Sequence, residues 1–237
     1  MAREHAPGPA AGQVRRAAVR LFAKKGFHGT GIRELADAAG LSSASLYHYM
    51  GTKEDLLAGI MRDSLERLLR TAAEVVEQAP SPPARLGALV QLHVLTHALL
   101  PLETSVVDNE IRALSPARRR EIVGLRDSYE RLWRTAIEDG CRGGQFRTTA
   151  PGVARLALLE MCSGVARWYS PRGPLGLDEI AIRHAEIAFQ VLQLDGDPTA
   201  VALPDLAHYT ALVSRVWGVR VPTTARRKAP MSVGSAG

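Results

Sequence analysis

Seven consecutive positions, Ser42 to His48, hold Ser42, Ser43, Ala44, Ser45, Tyr47 and His48, with Leu46 among them: five hydrogen-bonding side chains and a methyl. Three hydroxyls, a methyl, a phenol and an imidazole with no carboxylate or thiol beside them do not make a nucleophile–base pair. They do match what base edges ask for: short hydroxyls that donate or accept, and a methyl for the thymine methyl. Thr30 and Lys53 stand at the starts of the flanking helices, where backbone N–H groups and a cation favour a phosphate. A second group, His93 and His97, is spaced i, i+4, which puts both rings on one helix face. That spacing can hold a metal, with Glu103 or Asp108 as a further ligand, but the sequence fixes no third ligand and no metal is assigned. No cofactor is assigned either. Patterns of the GxSxG, HExxH, Walker and GxGxxG kinds do not occur, so an enzyme that processes a small molecule is a remote alternative.

The elements that must position the serine cluster are legible around it. Leu35–Met50 reads LADAAGLSSASLYHYM. Two short helices, Ile32–Ala39 and Ser43–Tyr49, flank a three-residue turn. A steep crossing needs small residues where backbones meet and a Gly that takes a positive φ. Ala36 and Gly40 supply these, and Leu35, Ala39, Leu41 and Leu46 fill the space between. This is helix-turn-helix spacing, whose second helix enters a DNA major groove N-terminal end first. Ser42 is the expected N-cap of that helix, Thr30 that of the preceding one. The alternative is a helical hairpin with no DNA role, in which Tyr47 and Tyr49 are core.

Charge favours DNA. The 237-residue chain carries a formal charge of +6, and residues 1–53 hold eight Lys/Arg against three acids. Residues 54–194 are close to balanced, at 17 against 18. A basic N-terminal module suits a polyanion, and Arg3 in a Pro/Gly/Ala arm, residues 1–11, would reach a minor groove. A non-specific nucleoid-type DNA binder is the alternative function. Cys141 and Cys162 form neither a CxxC nor a disulfide framework, which suits a reducing cytoplasm. With no signal segment or apolar span in the sequence, a cytoplasmic protein without a membrane role is expected.

The remaining chain reads as all-α, nine to ten helices in total. Val14 to Lys25 has helical apolar spacing and ends at Gly26. Thr52 with Asp55 caps a long helix to about Gln78. Further helices are expected at Pro82–Leu100, Ser105–Ala113, Pro116–Gly140, Pro151–Tyr169 and Leu177–Leu194. A tenth, Asp205–Trp217, would precede a tail containing Arg226, Arg227 and Lys228. Three regions follow: a DNA-binding domain at 1–53, a ligand-binding and dimerisation domain at 54–194, and an extension at 195–237.

The run from Ala17 to Leu57, AAVRLFAKKGFHGTGIRELADAAGLSSASLYHYMGTKEDLL, resembles the DNA-binding region of the TetR family of bacterial transcriptional regulators. LFAxxGF, the alanine-rich turn, LYHY and KEDLL occur in order. Ser43 stands where many members have Lys or Arg, Ala44 where Gly is common, and Met50-Gly51 where Phe-Lys or Phe-Ser is common. The resemblance implies a homodimer with a helical ligand domain, a palindromic operator and a small-molecule effector, most often in a repressor. Asp108–Leu114, Tyr129–Arg147 and Arg167–Leu175 are similar to segments of regulators of lipid and steroid breakdown that respond to acyl-CoA thioesters, which implies an apolar or acyl effector. The helix Pro151–Tyr169 is apolar nearly all round. With Leu177–Leu194 it is the expected four-helix dimer interface, the alternative being a monomer core. Effector contacts are expected from polar and aromatic groups on apolar helices: His93, His97, Asn109, Tyr129, Trp133, Met161 and Trp168.

Overall fold

A computed structural model describes residues 9–203 and 205–219. The arm residue Arg3 and the basic patch at Arg226–Lys228 lie outside them. Among the described residues there are eleven α-helices, two short 3-10 turns and no β-strand. The first four helices are α1 (Pro9–Lys25), α2 (Ile32–Ala38), α3 (Ser43–Met50) and α4 (Lys53–Gln78). Next come α5 (Pro82–Leu99), α6 (Pro101–Asn109), a 3-10 turn at Glu110–Ala113 and α7 (Pro116–Arg142). The last four are α8 (Pro151–Ser163), α9 (Val165–Trp168), α10 (Leu177–Val191) and α11 (Leu206–Trp217). The count exceeds ten because Gly164 divides the expected Pro151–Tyr169 helix into α8 and α9.

Local signals set the ends in the first third. Gly26, Gly40 and Gly51 take φ of 75°, 66° and 64°, values a side chain resists. The Ser42 hydroxyl accepts from Ser45 N at 3.1 Å. Thr52 and Asp55 form a reciprocal capping box. One N-cap differs: α2 is preceded by Gly31, without a side-chain cap, because Thr30 is turned inward.

Two apolar cores result. The first joins Ala17, Phe22, Leu35, Leu46 and Leu57 with Val106 and Val107 of α6 and Ile122 of α7. It therefore runs past Lys53 along α4 as far as Leu65 and takes in the first part of the effector domain. The second surrounds α5, in which every residue from Leu86 to Ala98 is buried. The sequence pointed to the helix ending at Tyr169 as one with a face on the core and a face on a second subunit. Within the single chain α5 is the enclosed helix, while α8 leaves Val153 69% exposed and Leu156 52% exposed, the face expected to meet a copy. The extension is integral to the second core. Tyr209, Leu212, Val213 and Trp217 of α11 are buried in it, and Leu203 lies over Gly87, where a β-carbon would meet it at 2.5 Å.

Candidate DNA-reading face and effector cavity

The α3 helix has two faces. Leu46 and Met50 point into the first core, while Ala44, Ser45, Tyr47, His48 and Tyr49 are exposed. Tyr47 is 51% exposed and Tyr49 45%, which disposes of the hairpin with both rings in its core. The Ser42 hydroxyl donates to Ser45 Oγ at 2.9 Å, so this pair presents as one unit. Ser43 is half-buried at the helix start, and His48 lies edge-on to Tyr49.

Thr30 and Lys53 do different work from that expected of them. Thr30 is 2% exposed, and its hydroxyl donates to the Gly26 carbonyl at 2.9 Å. Lys53 Nζ donates to the carbonyls of Phe27 and Thr30, both at 2.8 Å, and sits 4.3 Å from the centroid of the Phe27 ring. Two of its three protons are thus spent on backbone. Both residues fix the Phe27–Thr30 loop, and thereby the angle at which α2 and α3 leave α1. Arg33, exposed in the first turn of α2, has no carboxylate within ion-pair distance among the described residues and is an additional cation on the head.

In the effector domain a cavity of about 300 Å³ opens between α4, α5, α6, α7 and α8. His93, His97, Asn109 and Tyr129 line it, as do Asp108, Arg126, Ser163 and Arg167. Of the last four, Asp108 was weighed only as a metal ligand, and the other three read as charges or small groups on solvated helix faces. One signal was available: Arg126 is three residues from Tyr129, hence on its face of α7. Three expected contacts fall elsewhere. Trp133 is fully buried behind the wall, edge-on to His93. Met161 packs against the second core. Trp168 is 54% exposed and stacks on His184 outside the cavity.

The cavity is polar at its centre. His93 Nδ1 lies 2.9 Å from the Tyr129 hydroxyl and Nε2 3.0 Å from Ser163 Oγ. Burial, with His97 beside it, holds the His93 imidazole well below its ordinary pKa, so the ring is neutral at pH 7. Burial likewise raises the Tyr129 phenol. His97 stacks on His93 at 4.0 Å, donates from Nδ1 to the His93 carbonyl at 2.9 Å and faces Asp108 at 3.4 Å. Burial alone would raise the Asp108 carboxyl, but His97 and the Arg126 guanidinium outweigh it and hold it below its usual value. Stacked rings cannot aim their nitrogens at one point, and Glu103 is engaged by Arg15 instead. Among the described residues no three His, Cys, Asp or Glu side chains converge as a metal site, and no single helix is long and apolar enough to cross a membrane.

The helix that walls the cavity also grips the head. Glu103 of α6 pairs with Arg15 of α1 at 2.8 Å, both side chains largely buried. Glu110, one residue past α6, accepts from Phe27 N at 3.0 Å. From α7, Arg118 reaches Asp55 and Glu54 at the start of α4, and Arg62 of α4 pairs with Glu121.

A helix-turn-helix head joined to a helical domain with a ligand-sized cavity defines the class: a DNA-binding regulator with an effector domain. Residues 14–60 match the model of bacterial regulatory proteins of the tetR family, and residues 79–192 match the tetracyclin repressor-like C-terminal domain. The HTH-type transcriptional repressor KstR2 of Rhodococcus jostii is 30% identical over 177 residues, covering 74% of this chain and 87% of that protein. The chain belongs to the TetR family of bacterial transcriptional regulators, which are not enzymes. A TetR-family regulatory protein from Rhodococcus RHA1 superposes with a TM-score of 0.73 at 28% identity, covering 80% of this chain and all of that one. AibR, solved with isovaleryl coenzyme A and operator DNA, shares the fold with a TM-score of 0.70 at 24% identity over 78% of this chain and all of that one.

Proposed function

We propose that this protein is an effector-released repressor that acts as a homodimer on a two-fold palindromic operator. The observation that carries the reading is α6, which walls the effector cavity on one side and grips the DNA-binding head on the other. Ser43, Ala44, Ser45, Tyr47 and His48 read bases and nearby phosphates from the N-terminal half of α3, and Ser42 caps that helix. Thr30 and Lys53 act by shaping the loop that aims α3, with the backbone at Thr30 and the remaining proton of Lys53 nearest a phosphate. The apolar strip of Val153 and Leu156 on α8 with Ile182, Ile187 and Val191 on α10, all exposed in the single chain, supports pairing of these helices with their copies. Pairing would set two α3 helices about 34–36 Å apart, one helical turn of DNA.

The effector is an acyl compound, acyl-CoA thioesters being the first class to screen. KstR2 relatives are repressors, and the AibR fold accommodates isovaleryl coenzyme A. Apolar walls from Leu65, Leu68 and Leu159 with a polar centre at His93, Tyr129 and Ser163 suit an acyl group with one hydrogen-bonding head. Occupancy shifts α6 against α1, and α4 tilts with the head it carries. A coupling of about 1–3 kcal/mol between effector and operator is typical of such proteins.

The test is binding of the purified protein to its own upstream DNA and to an unrelated duplex of equal length at one salt concentration, because phosphate contacts alone give affinity. A preference of about a thousandfold is expected of a specific regulator. Equal affinity at several candidate operators would point to the non-specific binder.

A further inference from the structure

A second cavity of about 300 Å³ adjoins the first. Ala23 of α1, Leu102 and Ser105 of α6, and Ala166 of α9 wall it. Asp108, Asn109, Ser163 and Arg167 line both cavities, so the two share a neck. The outer chamber thus has the DNA-binding head on one side and the effector domain on the other. Each chamber sits at the lower bound of about 300 Å³ for small-molecule sites, and joined they fall well within the range.

At the neck the Asp108 carboxylate is already engaged by His97 and Arg126, which leaves Ser163 and Arg167 as donors. With the proton of neutral His93 on Nε2, Tyr129 donates to Nδ1 and Nε2–H donates to Ser163 Oγ, along the 2.9 Å and 3.0 Å contacts. In that tautomer the Ser163 hydroxyl proton faces the neck; in the other it is spent on Nε2, and Arg167 is the donor in both. Arg167 stands beside it. Of the two arginines lining the inner cavity, Arg126 is held by Asp108, whereas Arg167 has no carboxylate within ion-pair distance among the described residues. Asn109 Nδ2 is occupied by the Ser105 carbonyl at 2.8 Å. A neutral donor and a cationic donor at one constriction bind a carbonyl or carboxylate oxygen.

We propose that the two chambers form one site for an acyl ligand, its carbonyl or carboxylate held at the neck by Ser163 and Arg167, its chain running into the outer chamber toward Ala23 of α1 and the inner chamber lying on the far side of the carbonyl. The inference rests on the reading of the protein as an acyl-responsive repressor. It adds that the ligand touches the DNA-binding head itself and that its length decides the response. A short chain ends before α1 and leaves it in place. A long one lies between α1 and α6, the two helices that Arg15 and Glu103 tie together at 2.8 Å, and parts them.

The experiment measures affinity and operator release for four probes, butanoate, dodecanoate, butanoyl-CoA and dodecanoyl-CoA, on the full chain. The free acids and thioesters separate a carboxylate head from a thioester carbonyl. Wild type is expected to bind the dodecanoyl probe of one head group at least about tenfold more tightly than its butanoyl partner, and to release DNA only with the long one. Ala166→Leu fills the outer chamber from the effector side and should erase that increment while leaving butanoyl affinity within about threefold. Ala23→Leu fills it from the head side and serves if the first variant unfolds. Ser163→Ala should weaken both lengths alike. A length increment that survives both filled variants overturns the outer chamber alone. Failure of all four probes to bind wild type overturns the acyl reading on which the inference rests.

Discussion

Two neighbours on α3, Leu46 and Tyr47, should separate folding from DNA recognition. Leu46 is fully buried and Tyr47 51% exposed. Truncating Leu46 to Ala leaves a hole in the first core, and fully buried Leu→Ala changes cost about 2–5 kcal/mol. Tyr47 leaves about half of an aromatic's area in contact, roughly 100 Å² of the 150–250 Å² such a ring buries. At about 25 cal/mol/Å² that sets an upper bound near 2.5 kcal/mol. The Ala β-carbon retains part of that contact, and Ala gains helix propensity, so about 1 kcal/mol or less is expected. Operator binding should behave in the opposite way. One good base contact is worth about 1–3 kcal/mol, and a two-fold complex loses it twice, so Tyr47→Ala should weaken operator binding by about 30-fold or more. Thermal unfolding followed by circular dichroism, alongside operator titration at fixed salt, reads both quantities. The assignment of faces is refuted if Tyr47→Ala unfolds as readily as Leu46→Ala, or if it is stable and binds operator like wild type.

Other consequences follow from the same contacts. Glu103→Gln should ease operator release by the effector, because the Arg15 tie that holds α6 to α1 is weakened; a double-mutant cycle with Arg15→Met, read as the effector-induced shift in operator affinity, should show coupling of about 0.5–3 kcal/mol. Burial holds the His93 pKa well below the ordinary histidine value of about 6.5, so the unfolded chain takes up a proton there that the native state refuses. Stability should therefore fall as pH drops below about 6.5, and His93→Gln should flatten that slope in urea titrations even though it lowers stability at pH 7. Gly87→Ala places a β-carbon 2.5 Å from Leu203 and 3.0 Å from Phe189. Overpacking of this kind costs about 1–3 kcal/mol, and Leu203→Ala in the same chain should restore part of it in a thermal melt. Burial pushes the Cys162 thiol up to about 12, so at pH 8 native protein should alkylate at Cys141 well before Cys162, by mass spectrometry.

What the sequence determined by itself lies within three or four residues of each signal. Ser42 bonds Ser45, Thr52 bonds Asp55, and Gly40 and Gly51 turn the chain where no side chain would. These interactions close inside one turn of backbone, so residue type and spacing state them completely, and the helix-turn-helix with its outward Tyr47 follows. The cavity was only half legible. His93, His97 and Tyr129 stood out as polar groups on apolar stripes, but Asp108, Arg126 and Arg167 looked like solvated charges. A charge on a helix face is written the same way whether that face meets water or a cavity; only the packing of α6, α7 and α9 decides which. Lys53 shows the same limit. Its position invites a phosphate, yet its ammonium is captured by two carbonyls 26 and 23 residues away in sequence. Trp168 erred in the other direction, since an aromatic ring's tendency to be buried gave no warning of the break at Gly164 that turns it outward. The full burial of α5 was likewise a tertiary decision, because α5 and α8 are both rich in apolar residues and only the packing of their neighbours decides which faces a single chain covers.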